Sequence, residues 1–299
     1  MTDTRVTADS CPGTPPADTA VDSHYGIGGL LQRILDGLAA SGVDCSSLRP
    51  EHLAPVDEFH TRGKEATLEL AALAQLRPGL DLLDVGCGLG GSVRLVAAEH
   101  GCNATGIDLT AEYIEVARQL AELVGLGGRV AFERCSALEL PFGDASFDVV
   151  WTEHAQMNIA DKGAFYREIS RVLRPGGRLV FHDIFQGTGG VPHYPTPWAQ
   201  SGALSALADT QAARAAVAAA GLDIVDWVDK SAHSLHWFRT ALQRMQESGP
   251  PALGLHLLMG ATAADKFNNV LRNLEQGRIT IVQGLACKPG PEQASALNE

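Results

Sequence analysis

The sequence predicts an α/β protein with a mostly parallel sheet, and two patterns support that fold class. Short apolar runs alternate with segments of helical periodicity from residue 67 to residue 182. Breaks rich in glycine and proline, such as Pro78-Gly79, separate these segments. Such an alternation is typical of a doubly wound sheet with right-handed crossovers, whose ligands bind at the carboxyl ends of the strands.

The first elements of this alternation are five predicted strands and four predicted helices. The strands cover residues 80–85, 104–107, 130–133, 147–151 and 178–182. The first two helices cover residues 67–76 and 91–100, and the third begins after Thr110, a suitable N-cap. The fourth has Phe165, Ile169, Val172 and Leu173 on one face and ends at Pro175-Gly176-Gly177. The candidate ligand residues therefore follow directly after each strand.

The rest of the chain predicts a helix at 210–220, a strand at 224–228, two helices within 235–274 and a last strand at 279–286. An insertion at about 231–276 is too long for a tight hairpin and is expected to cap the ligand edge of the sheet. We divide the chain into a disordered arm at 1–22, an N-terminal cap at 23–64, a core at 65–288 that includes the insertion, and a flexible tail at 289–299.

The composition of the chain disfavours some classes of binding partner. The chain has 299 residues and a formal net charge of −12, which disfavours nucleic acid and anionic membranes as partners. The N-terminus lacks the apolar stretch of a secretory signal, and no apolar run approaches the roughly 20 residues of a membrane span. Six scattered cysteines without a C-x-x-C, and histidines without ligand spacing, predict a cytoplasmic protein with reduced thiols and no metal.

The segment from residue 80 to residue 91 is a strand that leads into a glycine-rich loop and then a helix. Gly86, Gly88 and Gly91 have the spacing of the dinucleotide fingerprint, and Asp108 follows about twenty residues later, as that fingerprint requires. A carboxylate at Asp108 can accept both hydroxyls of an adenosine ribose. The loop alone therefore fits any enzyme that binds an adenosine cofactor, including nicotinamide and flavin enzymes. A glycine-rich turn that binds no ligand is the simplest alternative.

Asp84 distinguishes a dinucleotide from an adenosine cofactor without phosphate. It lies two residues before the first glycine, where its carboxylate would repel a pyrophosphate. S-adenosylmethionine has no phosphate and carries an ammonium and a sulfonium, which a carboxylate near the loop favours. The loop with Asp84 therefore indicates a cationic adenosine cofactor.

Four motifs together carry a resemblance to a known family. They are Leu83-Asp84-Val85-Gly86-Cys87-Gly88-Leu89-Gly90, Gly106-Ile107-Asp108-Leu109, Phe147-Asp148-Val149-Val150-Trp151 and Leu173-Arg174-Pro175-Gly176-Gly177-Arg178-Leu179. In this order and spacing they resemble the class I S-adenosylmethionine-dependent methyltransferases. The resemblance implies a Rossmann-like, seven-stranded sheet whose last strand is antiparallel. The stretch Met157-Asn158-Ile159-x-Asp161-Lys162 and the late insertion look similar to the small-molecule branch, which includes sarcosine/dimethylglycine-type and natural-product tailoring enzymes.

The resemblance also implies a set of cofactor contacts. Gly86, Gly88 and Gly90 would wrap the methionine moiety, Asp108 would bind the ribose, and Leu109 would lie against the adenine. The remaining implied contacts are Asp84, Ser136, Ala137, Leu138 and Glu153. The family often has an acid where this chain has Ser136, so the backbone of Ala137 or Leu138 is expected to recognise the adenine.

His154 is the candidate catalytic residue because it follows the fourth strand at the predicted reaction centre. A histidine there either accepts a proton from the substrate nucleophile or positions the substrate, and the sequence leaves both roles open. Substrate contacts are predicted for Tyr25, His60, Arg62 and Met157.

We expect direct displacement, in which N, O or C of a small metabolite attacks the methyl group. A nicotinamide-dependent oxidoreductase is the first alternative, although the chain has no Tyr-x-x-x-Lys pair for it. The second alternative is a non-catalytic ligand-binding protein with the same core. The expected partner is a small molecule, and a homodimer stays open.

Overall fold

A computed structural model of the protein describes residues 16–249 and 251–290. Seven strands form one sheet. Their bounds are Asp81–Val85 (β1), Asn103–Asp108 (β2), Val130–Arg134 (β3), Phe147–Glu153 (β4), Leu173–Gln186 (β5), Asp223–Asp229 (β6) and Ile279–Cys287 (β7).

Helices pack on both faces of this sheet and beyond its carboxyl edge. Their bounds are Pro16–Tyr25 (α1), Leu30–Ala40 (α2), Pro50–Asp57 (α3), Lys64–Ala74 (α4), Gly91–His100 (α5), Ala111–Leu123 (α6), Lys162–Val172 (α7), Thr210–Ala219 (α8), Ser231–Ser248 (α9), His256–Met259 (α10) and Ala263–Glu275 (α11). No helix in the described part of the chain is long and apolar enough to cross a membrane.

The strand order is β3-β2-β1-β4-β5-β7-β6, and β7 runs antiparallel to both of its neighbours. The predicted Rossmann-like, seven-stranded sheet with an antiparallel last strand is confirmed. The chain moves outward from β1 through β2 and β3 and then returns to the other side of β1 with β4. This reversal opens a crevice beyond the carboxyl ends of β1 and β4, where ligands of such sheets bind.

The side chains of successive residues in β1 are buried on opposite faces of the sheet. Leu82 packs with Val93 and Val96 of α5, whereas Leu83 packs with Phe165 and Ile169 of α7. All of these side chains are buried. Burial on both faces explains why Leu82, Leu83 and Val85 of β1 are all apolar, and it fixes the position of the loop that follows.

Two further apolar clusters cover the crevice. The first joins α2 and α3 to Leu89 of the glycine loop and to α6. The second joins Met157 and Trp198 to Phe238 of α9 and Val270 of α11. The N-terminal segment and the late insertion therefore lie over the carboxyl edge of the sheet, on the two sides of the crevice.

Two expectations require correction. The predicted disordered arm at 1–22 is wrong for residues 16–22, because these belong to α1. Asp22 of this helix accepts hydrogen bonds from the Ala111 amide and from Arg134, which tie α1 to the core. Residues 1–15 of the predicted arm and residues 291–299 of the predicted tail lie outside the described residues.

The second correction concerns Pro175-Gly176-Gly177. We expected this segment to end a helix and precede a strand, but β5 already begins at Leu173. The pairing with β4 shifts from Phe147↔Leu173 to Val149↔Arg178, so the Pro-Gly-Gly segment forms an irregularity within the strand. Glycine and proline are common at such sites because they interrupt the regular ladder.

Candidate active site

A cavity of about 350 Å³ lies in the crevice beyond β1 and β4. This volume is in the range of small-molecule sites. One half is built by the ends of β1, β2 and β4 and by the residues that directly follow β1, β2 and β3, and we call it the strand-end half. The other half is built by α1, α9 to α11, Met157, Ile184 and the loop after β5, and we call it the cap half.

The glycine loop forms one wall of the strand-end half. A Cβ atom on Gly86 would lie 2.5 Å from the Cβ of Ala155, and Gly88 has a φ of +53° with open space where a Cβ would be. Both glycines line the cavity. The loop therefore brings bare backbone to the cavity wall, and only glycine allows this without strain.

Gly90 lies apart from the other two loop glycines. It does not line the cavity, and a Cβ there would lie 2.4 Å from the Phe132 ring. Gly90 has a φ of +77° and is the N-cap of α5. This glycine therefore allows the helix to pack against β3, whereas its contact with a cofactor stays a prediction.

Asp108 stands at the end of β2 and holds the loop through its carboxylate. Its Oδ2 accepts the Gly88 amide at 3.0 Å, and its Oδ1 accepts the Thr110 amide at 2.8 Å. Burial raises the pKa of Asp108, although these amide hydrogen bonds oppose the shift. Each oxygen has a further lone pair, so the carboxylate can accept additional hydroxyl donors from the cavity.

Asp84 and Glu153 add two more carboxyl groups to this half. Both residues are buried and line the cavity. Burial, together with the charges of Glu153 and Asp108, raises the pKa of Asp84 well above its ordinary value. Glu153 accepts hydrogen bonds from Ser92 at 2.6 Å and from Trp151 at 2.8 Å, and burial raises its pKa as well. Three carboxyl groups that disfavour one another's charge form a site that a cation would stabilise.

His60 is the cation that already faces this group. Its Nε2 lies 3.0 Å from Glu58 Oε2 and 3.3 Å from Glu153 Oε1. Burial alone would lower the pKa of His60, but the Glu153 and Glu58 carboxylates outweigh it and raise the pKa to about 9. His60 therefore carries a positive charge at neutral pH and is not available to accept a proton.

His154 and His182 show the opposite behaviour. Their rings stack with centroids 5.4 Å apart, and the Thr61 hydroxyl lies between their Nε2 atoms, at 3.3 Å from His154 and 3.0 Å from His182. Burial and neighbouring histidines lower the pKa of His154 well below its ordinary value, and burial and the charge of His60 lower that of His182 to about 3. Both rings are therefore neutral at pH 7.

The cap half is largely apolar. Its lining includes Met157, Ile184, Trp198, Trp237, Phe238 and Phe267. Tyr25 of α1 closes one side, and its hydroxyl donates to Asn158 Oδ1 at 2.9 Å. Such a wall excludes water and fits an apolar molecule.

Most predicted site residues come together in this cavity. Besides those already placed, the lining includes Leu109, Ser136, Ala137 and Leu138. Arg62 is an exception, because it does not line the cavity. Its buried guanidinium turns away from the cavity and binds Glu69 at 2.5 Å and Glu65 at 2.9 Å.

Sequence reasoning missed several lining residues. Thr61 stands in a polar stretch without a motif, and Tyr113 was assigned to the buried face of α6. Trp237 was taken as cap packing, and Trp198 lies in an irregular loop. All four line the cavity. Their only sequence signal is their position, since each follows a strand end or lies in a segment predicted to cover one.

Comparisons with known proteins agree with this geometry. Residues 83–181 match a family model described as a methyltransferase domain. Methyltransferase GfsG of Streptomyces halstedii is 36% identical over 129 residues, which are 43% of this chain and 46% of that protein. The 27-O-demethylrifamycin SV methyltransferase of Amycolatopsis mediterranei is 40% identical over 131 residues, which are 44% of this chain and 47% of that protein. The chain thus spans about half the length of these curated relatives.

The solved structures extend the likeness of the fold to nearly the whole chain. The geranyl diphosphate C-methyltransferase of Streptomyces coelicolor A3(2) has a TM-score of 0.69 at 19% identity, with 93% of this chain and 100% of that chain covered. The [4+2]-cyclase SpnF has a TM-score of 0.66 at 23% identity, covering 92% of this chain and 98% of that chain. The predicted resemblance to class I S-adenosylmethionine-dependent methyltransferases is confirmed, since residues 83–181 match the methyltransferase-domain model. The two neighbours are named for different reactions, so the fold alone does not select one.

Proposed function

We propose that the protein is an S-adenosylmethionine-dependent methyltransferase that acts on a small, largely apolar molecule. The observation that carries this proposal is the convergence of Asp84, Asp108 and Glu153 on the cavity wall beside the glycine loop. The strand-end half would take the cofactor, and the cap half would take the methyl acceptor.

The strand-end half has the chemistry that this cofactor requires. Asp108 retains lone pairs for the ribose hydroxyls, and Gly86 and Gly88 leave room for close approach of the backbone. Leu109 and Leu138 offer apolar surface to an adenine. Asp84 and Glu153 would neutralise an ammonium or a sulfonium, and in return a bound cation would lower their raised pKa values.

The same carboxyl groups argue against a nicotinamide cofactor. The pyrophosphate of a dinucleotide normally lies against the glycine loop, at the N-terminus of the following helix. Here that location is beside Asp84, where burial makes the repulsion between two negative charges strong. The oxidoreductase alternative therefore requires Asp84 to stay protonated, whereas the methyltransferase proposal uses its charge.

When bound, S-adenosylmethionine supplies a methyl group that its sulfonium already activates. The protein's contribution is then alignment and the exclusion of water. Holding two reactants in line contributes roughly 7–11 kcal/mol to such a step. The apolar wall of Met157, Trp198 and Trp237 would orient the acceptor and dehydrate the site, and His154 would contact the acceptor between the two halves.

Calorimetry with adenosylhomocysteine and with NAD tests this proposal. We expect adenosylhomocysteine to bind at micromolar concentration and NAD to bind at least 100-fold more weakly. Tight binding of NAD without binding of adenosylhomocysteine would contradict the proposal. Transfer of a labelled methyl group to apolar small molecules then separates an enzyme from a non-catalytic binding protein, because the latter would bind adenosylhomocysteine and transfer no label.

A further inference from the structure

His154 holds an unusual backbone conformation that its surroundings maintain. Its φ is +48°, in the left-handed region that residues with a Cβ rarely adopt. Its amide donates to the His182 carbonyl oxygen at 2.9 Å, and its ring stacks on the His182 ring. Strain of this kind concentrates at functional sites. The backbone hydrogen bond and the stacked His182 ring therefore fix the direction of this imidazole.

The hydrogen-bond partners of His182 determine where its own proton lies. Its Nε2 lies 3.0 Å from the Thr61 carbonyl oxygen, which can only accept. The Nε2 atom must therefore carry the hydrogen. The other ring nitrogen, Nδ1, is buried and has no hydrogen-bond partner among the described residues. A bare lone pair there costs less than an unpaired N–H, which agrees with this tautomer.

This assignment determines which hydrogen bonds the Thr61 hydroxyl accepts and donates. Its oxygen lies 3.0 Å from His182 Nε2, so it accepts a share of that N–H. Its own hydrogen is then free for another acceptor. The Ser234 hydroxyl, at 3.5 Å, itself donates to Thr61, so among the described residues His154 Nε2 at 3.3 Å is the acceptor for the Thr61 hydrogen. Thr61 thus donates to Nε2 of His154.

We propose that Thr61 and His182 hold His154 in the Nδ1–H tautomer, so that His154 presents a hydrogen-bond donor to the cavity. His154 lines the cavity, and its Nε2 is engaged by Thr61, which leaves Nδ1 for a ligand. The consequence for the substrate rests on the proposed function. The methyl acceptor carries an oxygen or nitrogen whose lone pair faces His154, and the resting imidazole does not take a proton at Nδ1.

Thr61 is in this account a positioning residue, because it acts through His154. Removing its hydroxyl would leave His154 Nε2 without a donor, so the proton would move toward Nε2. Serine keeps the hydroxyl and the donor. The two substitutions therefore differ in one observable, the tautomer of His154, and a role of Thr61 in packing alone would not move that observable.

Long-range ¹H–¹⁵N spectra of full-length protein labelled at histidine nitrogens test the inference. His154→Asn and His182→Asn assign the two rings by the signals that they remove. We expect His154 to show Nδ1–H and His182 to show Nε2–H, each in roughly fivefold or greater excess over its other tautomer. Thr61→Val should shift His154 toward Nε2–H, Thr61→Ser should restore the native pattern, and Thr240→Val, which changes a threonine on the exposed side of α9, should leave it unchanged.

The result that overturns the inference is a wild-type His154 whose proton lies on Nε2, or a pattern that Thr61→Val does not alter. The wild-type spectrum decides the point even when the variant fails to fold. Spectra recorded with and without adenosylhomocysteine keep the two proposals apart. If adenosylhomocysteine does not bind, the proposed function fails while the tautomer assignment stands or falls on its own signals.

Discussion

The two halves of the cavity are built by different physical means. In the strand-end half, polar groups are held by the backbone, as when Asp108 accepts the amides of Gly88 and Thr110. In the cap half, apolar side chains such as Trp198 and Phe267 are held mainly by packing against one another, with few hydrogen bonds such as that from Trp198 to Ser205. The comparison teaches that a fixed site for a shared cofactor is made of local hydrogen bonds, whereas an adaptable site for an acceptor is made of side-chain shape.

The largest expected effect is in the strand-end half. Asp108→Ala should weaken adenosylhomocysteine binding by about 100-fold, because two charge-assisted hydrogen bonds to the ribose are lost. Calorimetry measures this change. Asp36→Ala makes the same substitution on exposed α2 and should leave the affinity unchanged. Equal affinity of the Asp108 variant and wild type would remove the ribose role and with it the distinction between the halves.

Gly88 and Gly90 sharpen the comparison within one loop. Gly88→Ala places a methyl group in open cavity space and should lower adenosylhomocysteine affinity by roughly tenfold, with a strain cost of about 1 kcal/mol. Gly90→Ala drives a methyl group into the Phe132 ring and should lower the free energy of unfolding by about 2–4 kcal/mol. Chemical denaturation and calorimetry on both variants check the division. A reversed pattern would exchange the roles of the two glycines.

The charge of His60 predicts how stability varies with pH. Because its folded pKa, about 9, is above the unfolded value near 6.5, its contribution is complete below pH 6.5 and is lost as the pH rises through 9. The difference in free energy of unfolding between wild type and His60→Gln should therefore shrink across this window. Taking the difference removes the opposing contribution of Lys162, whose pKa burial lowers to about 8. A constant difference would show that His60 is neutral.

The smallest expected effect on cofactor binding is in the cap half. Trp237→Ala should change adenosylhomocysteine affinity by less than about threefold, since distant sites act independently. It should raise the KM of an acceptor once one is identified. His236→Ala, on the exposed side of the same helix, is the matched control. A large loss of adenosylhomocysteine affinity in Trp237→Ala would show that the two halves act as one unit.

Much of the strand-end half could be predicted because its residues follow local rules. Leu80, Leu82, Leu83 and Val85 are apolar because both faces of the strand are buried, and the glycines after them permit a turn. Asp84 and Asp108 were found by their spacing from this loop. The sequence could not distinguish Gly88, which faces the cavity, from Gly90, which packs on Phe132, because both obey the same spacing.

The cap half could not be predicted in the same way. Trp198 and Trp237 are 39 positions apart in the chain and belong to a loop and a helix with no shared motif. Arg62 was placed in the site because it follows His60, yet its left-handed backbone turns the guanidinium toward Glu69. Side chains from segments without periodic constraints meet only through long-range packing, which leaves no signature in the sequence.

The sequence by itself determined the order of strands and helices, the glycine loop and the acids that flank it, since each depends on residues close together in the chain. The tertiary structure decided the charge states of the histidines. His60, His154 and His182 are chemically identical in the sequence. Carboxylates beside His60 keep it charged, whereas burial without a carboxylate partner keeps His154 and His182 neutral. Only the folded chain brings these neighbours together, and so only the fold gives each histidine its chemistry.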